Sequence, residues 1–164
     1  MAYEATLAAK RAQVMDNLNR IGGMNLTEVD VPPVLGATDP VRCRNKTSLP
    51  VGGTAETPQL GFYRRRSHDI VNIDACPVAM GDLPAVIAAV RGWMRAARVA
   101  PYNEVAHRGL LRHVVVRTTR AGDTMVLLVA TNPNLPAVER LTECLKRDVA
   151  GFRALHLSVN RQHN

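Results

Sequence analysis

Apolar residues open the chain at helical spacing. In YEATLAAKRAQVMDNLNRI, residues 3–21, Leu7, Arg11, Val14, Leu18 and Ile21 or Gly22 fall on one stripe of period 3.6, with Met15 beside it. This predicts an amphipathic helix, and Gly22-Gly23 supplies its stop, because glycine takes the left-handed position after a helix at little cost. Pro32-Pro33, Gly36 and Asp39-Pro40 then argue against regular structure over residues 30–40. The first helix should therefore sit on a tether, giving a division into residues 1–40 and a following domain of residues 41–164.

Beyond residue 40 the period changes from 3.6 to 2. Residues 41–51 and 59–66 read as two strands joined by GGTAETP. Alternation puts Arg42, Arg44 and Lys46 on one face of the first strand, with Cys43, Asn45, Thr47 and Leu49 on the other. DIVNI, residues 69–73, is a short β-type run that extends or flanks this pair. GDLPAVIAAVRGWMRAARV is a helix capped by Asp82 with Pro84 in its first turn, burying Val86, Ile87, Val90, Trp93, Met94 and Ala97. Residues 113–119 and 123–131 form a second hairpin around Arg120-Ala121-Gly122. The run DTMVLLVAT is apolar at both parities, which predicts a central strand covered on both faces. A helix from Asn134 to about Val149, with Val138, Leu141, Leu145 and Val149 inward, and a strand FRALHLSV at 152–159 complete the chain. The expected fold is α+β: a mixed, mostly antiparallel sheet with helices packed on one face, plus the N-terminal amphipathic helix.

Composition narrows the class. An apolar content of 46% against 21% charged residues supports a folded chain. A net charge of +7 points toward a polyanionic partner while saying nothing about fold. No apolar run approaches the ~20 residues of a bilayer span, and residues 1–22 are too charged for a secretory leader, so a cytoplasmic setting without a membrane is expected. Three cysteines, Cys43, Cys76 and Cys144, show no metal-type spacing.

Two basic bursts stand out, Arg42, Arg44 and Lys46, then Arg64, Arg65 and Arg66. On neighbouring strands they would make one positive patch, suited to phosphate. The alternative is an edge hairpin protected by charge in a non-catalytic protein-interaction module. Phe62 and Tyr63 adjoin the second burst, and an exposed aromatic there can stack a splayed base, with Phe62 the better core candidate. His68 beside Asp69 is not a catalytic pair, because adjacent strand residues point to opposite faces. His107, His113, His156 and His163 have no ligand spacing, and the stretch from Glu104 to His107 reads as a turn without a site. Gly52-Gly53 and Gly61 make no dinucleotide or phosphate-loop pattern, and no nucleophile elbow occurs. The residues by themselves hold no complete active site.

The stretches RCRNKTSLPVGG and GFYRRRSHDIVNIDACPV resemble the central region of the RNA uracil-5-methyltransferases, which make 5-methyluridine in ribosomal RNA. YEATLAAKRAQVMDNLNRIGG is similar to the segment leading into that region, and HLSVNRQHN to the passage toward the methyltransferase domain. The chain departs from the pattern at Cys43, where relatives carry an aromatic residue. The resemblance implies a fragment lying between an RNA-binding β-barrel and a domain that binds S-adenosylmethionine. It implies RNA contacts from Arg42, Arg44, Lys46, Arg64, Arg65, Arg66 and His68. Many members hold a 4Fe–4S cluster, and Cys76, in Ile73-Asp74-Ala75-Cys76-Pro77, resembles its fourth ligand. The other three ligands have no counterpart here, so no cofactor is expected in this chain, and the catalytic residues would lie downstream. In the parent fold the first helix would lean on the methyltransferase domain. Without that partner, its stripe should fold back or mediate a homodimer through residues 3–21.

Overall fold

Tyr3–Arg20 forms helix α1, as the apolar stripe predicts, in a computed structural model that describes residues 2–162. Amides of Ile21 and Gly22 close its last turn on the Asn17 carbonyl, and Gly23 takes φ +63°. The helix belongs to a compact unit, Met1–Pro40, separate from a second unit, Val41–Asn164. Within the first unit the segment after α1 is not a free tether. Arg11, a member of the stripe, donates from Nε and Nη2 to the Val31 carbonyl at 2.9 and 2.7 Å. The Ala37 amide donates to the Tyr3 hydroxyl at 2.7 Å. A Cβ at Gly36 would stand 2.9 Å from Leu7 Cδ1, so only glycine lets this segment lie so close to the helix. The polar member of the stripe thus has a structural task that periodicity does not reveal.

The second unit is built on six strands: β1 Lys46–Gly53, β2 Pro58–Tyr63, β3 Ile70–Asn72, β4 Leu111–Thr118, β5 Thr124–Ala130 and β6 Phe152–Val159. Their order is β3-β2-β1-β4-β5-β6, antiparallel except for the parallel pair β5–β6. That last pair needs a crossover, which helix α3, Val138–Asp148, supplies. Helix α2, Leu83–Ala96, is capped by Asp82, whose Oδ1 accepts from the Ala85 amide at 3.3 Å. Both helices press one face of the sheet. Leu49, Leu60, Val114, Val116, Val126 and Leu128 meet Val86, Ile87, Val90 and Met94 of α2 and Leu141 and Leu145 of α3 in a single core. The fold is α+β with helices on one face.

Three boundaries that bear on the site differ by three or more residues from the sequence reading. β1 begins at Lys46, so Arg42 and Arg44 precede the strand, and β2 ends at Tyr63, so Arg64–Arg66 follow it. Helix α3 begins at Val138 instead of Asn134, because Asn132 Oδ1 holds the Asn134 amide in a turn and Ala137 stands at φ +50°. β5 is not sandwiched. Thr124, Val126, Leu128 and Ala130 are buried, while Met125, Leu127 and Val129 face the side without helices and are half-buried. α3 shares one core with α2, so both helices cover the same face and leave Met125, Leu127 and Val129 on the other.

Candidate functional site

The basic residues fall into two groups: Arg42, Arg44 and Lys46 toward the end of β4, and Arg64–Arg66 in a turn flanked by Tyr63 and His68, which lie with Arg112 and His113 at the start of β4. The pairing of β1 with β2 spans only Val51–Gly53 and Pro58–Leu60, and the start of β1 pairs with the end of β4. Lys46 is exposed there opposite Arg117 of β4. Arg44 is tied by its backbone to the Cys76 loop: its amide donates to the Val78 carbonyl at 2.8 Å, and its carbonyl accepts from the Met80 amide at 2.9 Å. Arg42 borders a concavity of about 800 Å³ with Cys76, Pro77, Asp82, Gly122 and Arg153. Arg64, Arg65 and Arg66 form an exposed turn between β2 and β3. The turn is closed by Arg64 N–H to the Asp69 carbonyl at 2.7 Å, by Ser67 N–H to the Arg64 carbonyl at 3.1 Å, and by Arg66 at φ +61°. A turn fans its three guanidiniums in different directions, where a strand would have alternated them. Phe62 packs against the core and Tyr63 is exposed.

His68 finds its carboxylate far away in sequence. Its Nδ1 lies 2.5 Å from Glu104 Oε2, whereas the neighbouring Asp69 closes the turn through its backbone. Glu104 sits on a short loop closed by reciprocal backbone bonds between Asn103 and Arg108, with Asn103 Oδ1 accepting from the Val105 and Ala106 amides. Gly109 makes the return possible: at φ +113°, a Cβ there would meet the Pro101 carbonyl oxygen at 2.0 Å. Opposite this loop, the Tyr63 and His68 rings stand 5.2 Å apart, tilted by 35°. Arg112, buried, lies over the Tyr102 ring at 4.2 Å, and the Tyr102 hydroxyl is 3.2 Å from His107 Nδ1. These groups enclose a cavity of about 340 Å³, to which His113 of β4 adds its imidazole. Burial and then the charge of Glu104 push the Tyr63 phenol up. Burial and then the charge of Arg112 push His113 down, which favours its neutral form. The stretch read as a siteless turn therefore supplies, beside Asp69, the one other acid that lines this cavity among the described residues. No periodicity could have paired Glu104 with His68 across 36 positions.

Cys43 is exposed, Cys76 and Cys144 are half-buried, and all three are free thiols. Among the described residues no three His, Cys, Asp or Glu side chains come together as a metal site. One thiolate at Cys76 does not fit a cluster that requires four ligands. His156 is exposed on β6, and His163 lies outside the described residues. Among the described residues no helix is long and apolar enough to cross a membrane.

An exposed basic turn lies beside an aromatic cavity. No protein-family model matches the chain. Over 163 residues it is 31% identical to an RNA methyltransferase of Clostridium acetobutylicum, covering 99% of this chain and 35% of that protein. An RNA methyltransferase of Halalkalibacterium halodurans is 37% identical over 161 residues, again 35% of its length. Among solved structures, the tRNA (uracil-54, C5)-methyltransferase of Pyrococcus abyssi, in complex with S-adenosyl-L-homocysteine, superposes with a TM-score of 0.72 at 27% identity. That match covers 100% of this chain and 36% of that one. The chain is thus related along its whole length to RNA methyltransferases and spans about a third of theirs.

Proposed function

We propose that this chain is the RNA-recognition part of an S-adenosylmethionine-dependent RNA uracil-5-methyltransferase, working in the cytoplasm. The observation that carries the reading is the exposed Arg64–Arg66 turn, in a chain whose relatives are RNA methyltransferases along its entire length. Arg42, Arg44, Lys46, Arg64, Arg65, Arg66 and His68 are the contacts, the arginines and lysine to phosphate and His68 to base or sugar. The methyl donor and the reacting cysteine and base belong to the part of such enzymes outside this third of their length. Ribosomal RNA is the substrate class that the sequence resemblance favours. Transfer RNA, on which the Pyrococcus protein acts, is the rival, and competition between the two RNAs for the labelled chain separates them.

If about six phosphates of single-stranded RNA are contacted, log affinity should fall against log salt with a slope near about −4. Reversing the charge of Arg64, Arg65 and Arg66 together should abolish retention of RNA at moderate salt. Retention unchanged by the triple reversal would leave these arginines as edge protection in an interaction module and end the RNA reading of the turn. Self-association through α1 belongs to the same proposal, since α1 buries no residue. Sedimentation of a strict monomer at high concentration would overturn that part.

A further inference from the structure

The cavity between Tyr63, His68, Tyr102, Glu104 and Arg112 has no counterpart in the electrostatic account of RNA binding. Phosphate would be repelled by Glu104, so the acid must serve another purpose. Resting on the RNA reading above, we propose that this cavity is a base-selective subsite that takes one splayed guanine of the RNA.

The walls supply the stacking. Tyr63 is exposed at the mouth, adjoining the Arg64–Arg66 turn, so a strand whose phosphates lie on the arginines presents its next base to this ring. Tyr102 is buried with Arg112 over its ring at 4.2 Å and fixes the back wall of the cavity, leaving the stacking to Tyr63. The volume, about 340 Å³, lies at the lower end of the range for small-ligand sites and suits one base, not a nucleotide chain.

The acid supplies the choice. A carboxylate is an acceptor on both oxygens, each with two lone-pair sites, so Glu104 can hold His68 and the Tyr63 hydroxyl and keep two sites for a base. Guanine alone carries two adjacent donors on one edge, N1–H and the N2 amine, matching a carboxylate with two parallel bonds. Uracil places a carbonyl oxygen on each side of its single N3–H, which sets oxygen against oxygen. Adenine and cytosine each offer one donor beside a ring-nitrogen acceptor. The His68 bond to Oε2 and the tight Asn103–Arg108 loop fix Glu104, so the selection does not depend on ordering a mobile side chain.

The test is fluorescence anisotropy of the full chain with labelled hexauridylate and with the same hexamer carrying one guanosine or one inosine. A bidentate pair confers about tenfold discrimination. The guanosine hexamer should therefore bind about tenfold tighter than hexauridylate, and inosine, which lacks only the N2 amine, should lose most of that gain. In Glu104→Gln the preference of guanosine over uridine should vanish. The inosine arm needs no variant, so it stands even if the substitution disturbs the loop. Equal binding of guanosine and uridine hexamers by the unaltered protein, or a preference retained in Glu104→Gln, overturns the subsite and leaves the RNA reading intact. Failure of all three hexamers to bind at low salt overturns both.

Discussion

Replacing Arg91 by Met should loosen the joint between α2 and the segment that leads to Cys76. Arg91 projects from α2, and its side chain is only 13% exposed. Nη2 donates to Asn72 Oδ1 at 2.5 Å and to the Ile73 carbonyl at 2.6 Å, while Nη1 meets Asp74 Oδ1 at 2.5 Å. Asn72 Oδ1 also accepts from the Leu60 amide at 3.0 Å, so one guanidinium ties the helix to β2 and to the end of β3. The Asp74 carboxylate is 90% exposed, and water screening leaves that pair worth little. The two bonds to neutral acceptors are charge-assisted and carry most of the effect. Nε is buried without a partner, and its removal gives part of the loss back. The net loss should be about 2–3 kcal/mol. In a chain of 164 residues that lowers the melting temperature by roughly 5–10 °C. Trp93, the only tryptophan and 5% exposed, reports urea unfolding directly. With Cys43 and Cys144 changed to Ser, thiol titration should also show Cys76 reacting faster. A loss below about 0.5 kcal/mol with unchanged Cys76 reactivity would refute the assignment of the joint to Arg91.

Two further outcomes follow from close approaches and buried charge. A Cβ at Gly61 would fall 1.8 Å from the Val71 carbonyl oxygen, across the pairing of β2 with β3. Gly61→Ala should cost about 3 kcal/mol and raise amide exchange at Ile70–Asn72, whereas Gly92→Ala in α2, with nothing within 4 Å, should stabilise slightly. Near-equal effects of the two alanines would refute the steric argument. His113 is held below its ordinary value by burial, so its unfolded form takes up a proton first as pH falls. Its contribution is intact above about pH 6.5 and is lost as pH drops from there through the lowered folded value. The urea midpoint should therefore decline on acidification below neutrality, and His113→Gln should flatten that decline. A steeper decline in the variant would reverse the sign.

The sequence carried the elements and their inward faces. Local spacing alone determines which residues of α1, α2, β4 and β5 share a face, because 3.6 and 2 are properties of the backbone. Asp82 as a cap and Phe62 as the buried member of its aromatic pair were legible for the same reason: the cap lies three residues from its partner, and the pair alternates across one strand. Strand ends were not legible. The arginines at 42, 44 and 64–66 continue the β pattern in composition, yet Arg44 is claimed by Val78 and Met80, and Arg64 by Asp69, through backbone bonds that no pattern announces. The cavity is wholly tertiary. Tyr63 and His68 come from one end of a hairpin, Tyr102 and Glu104 from a loop, and Arg112 and His113 from a strand on the far side of β1. Charge and motif pointed to RNA. What the pocket holds depends on Glu104 facing His68, a meeting decided by sheet order and by a glycine that lets one loop turn back.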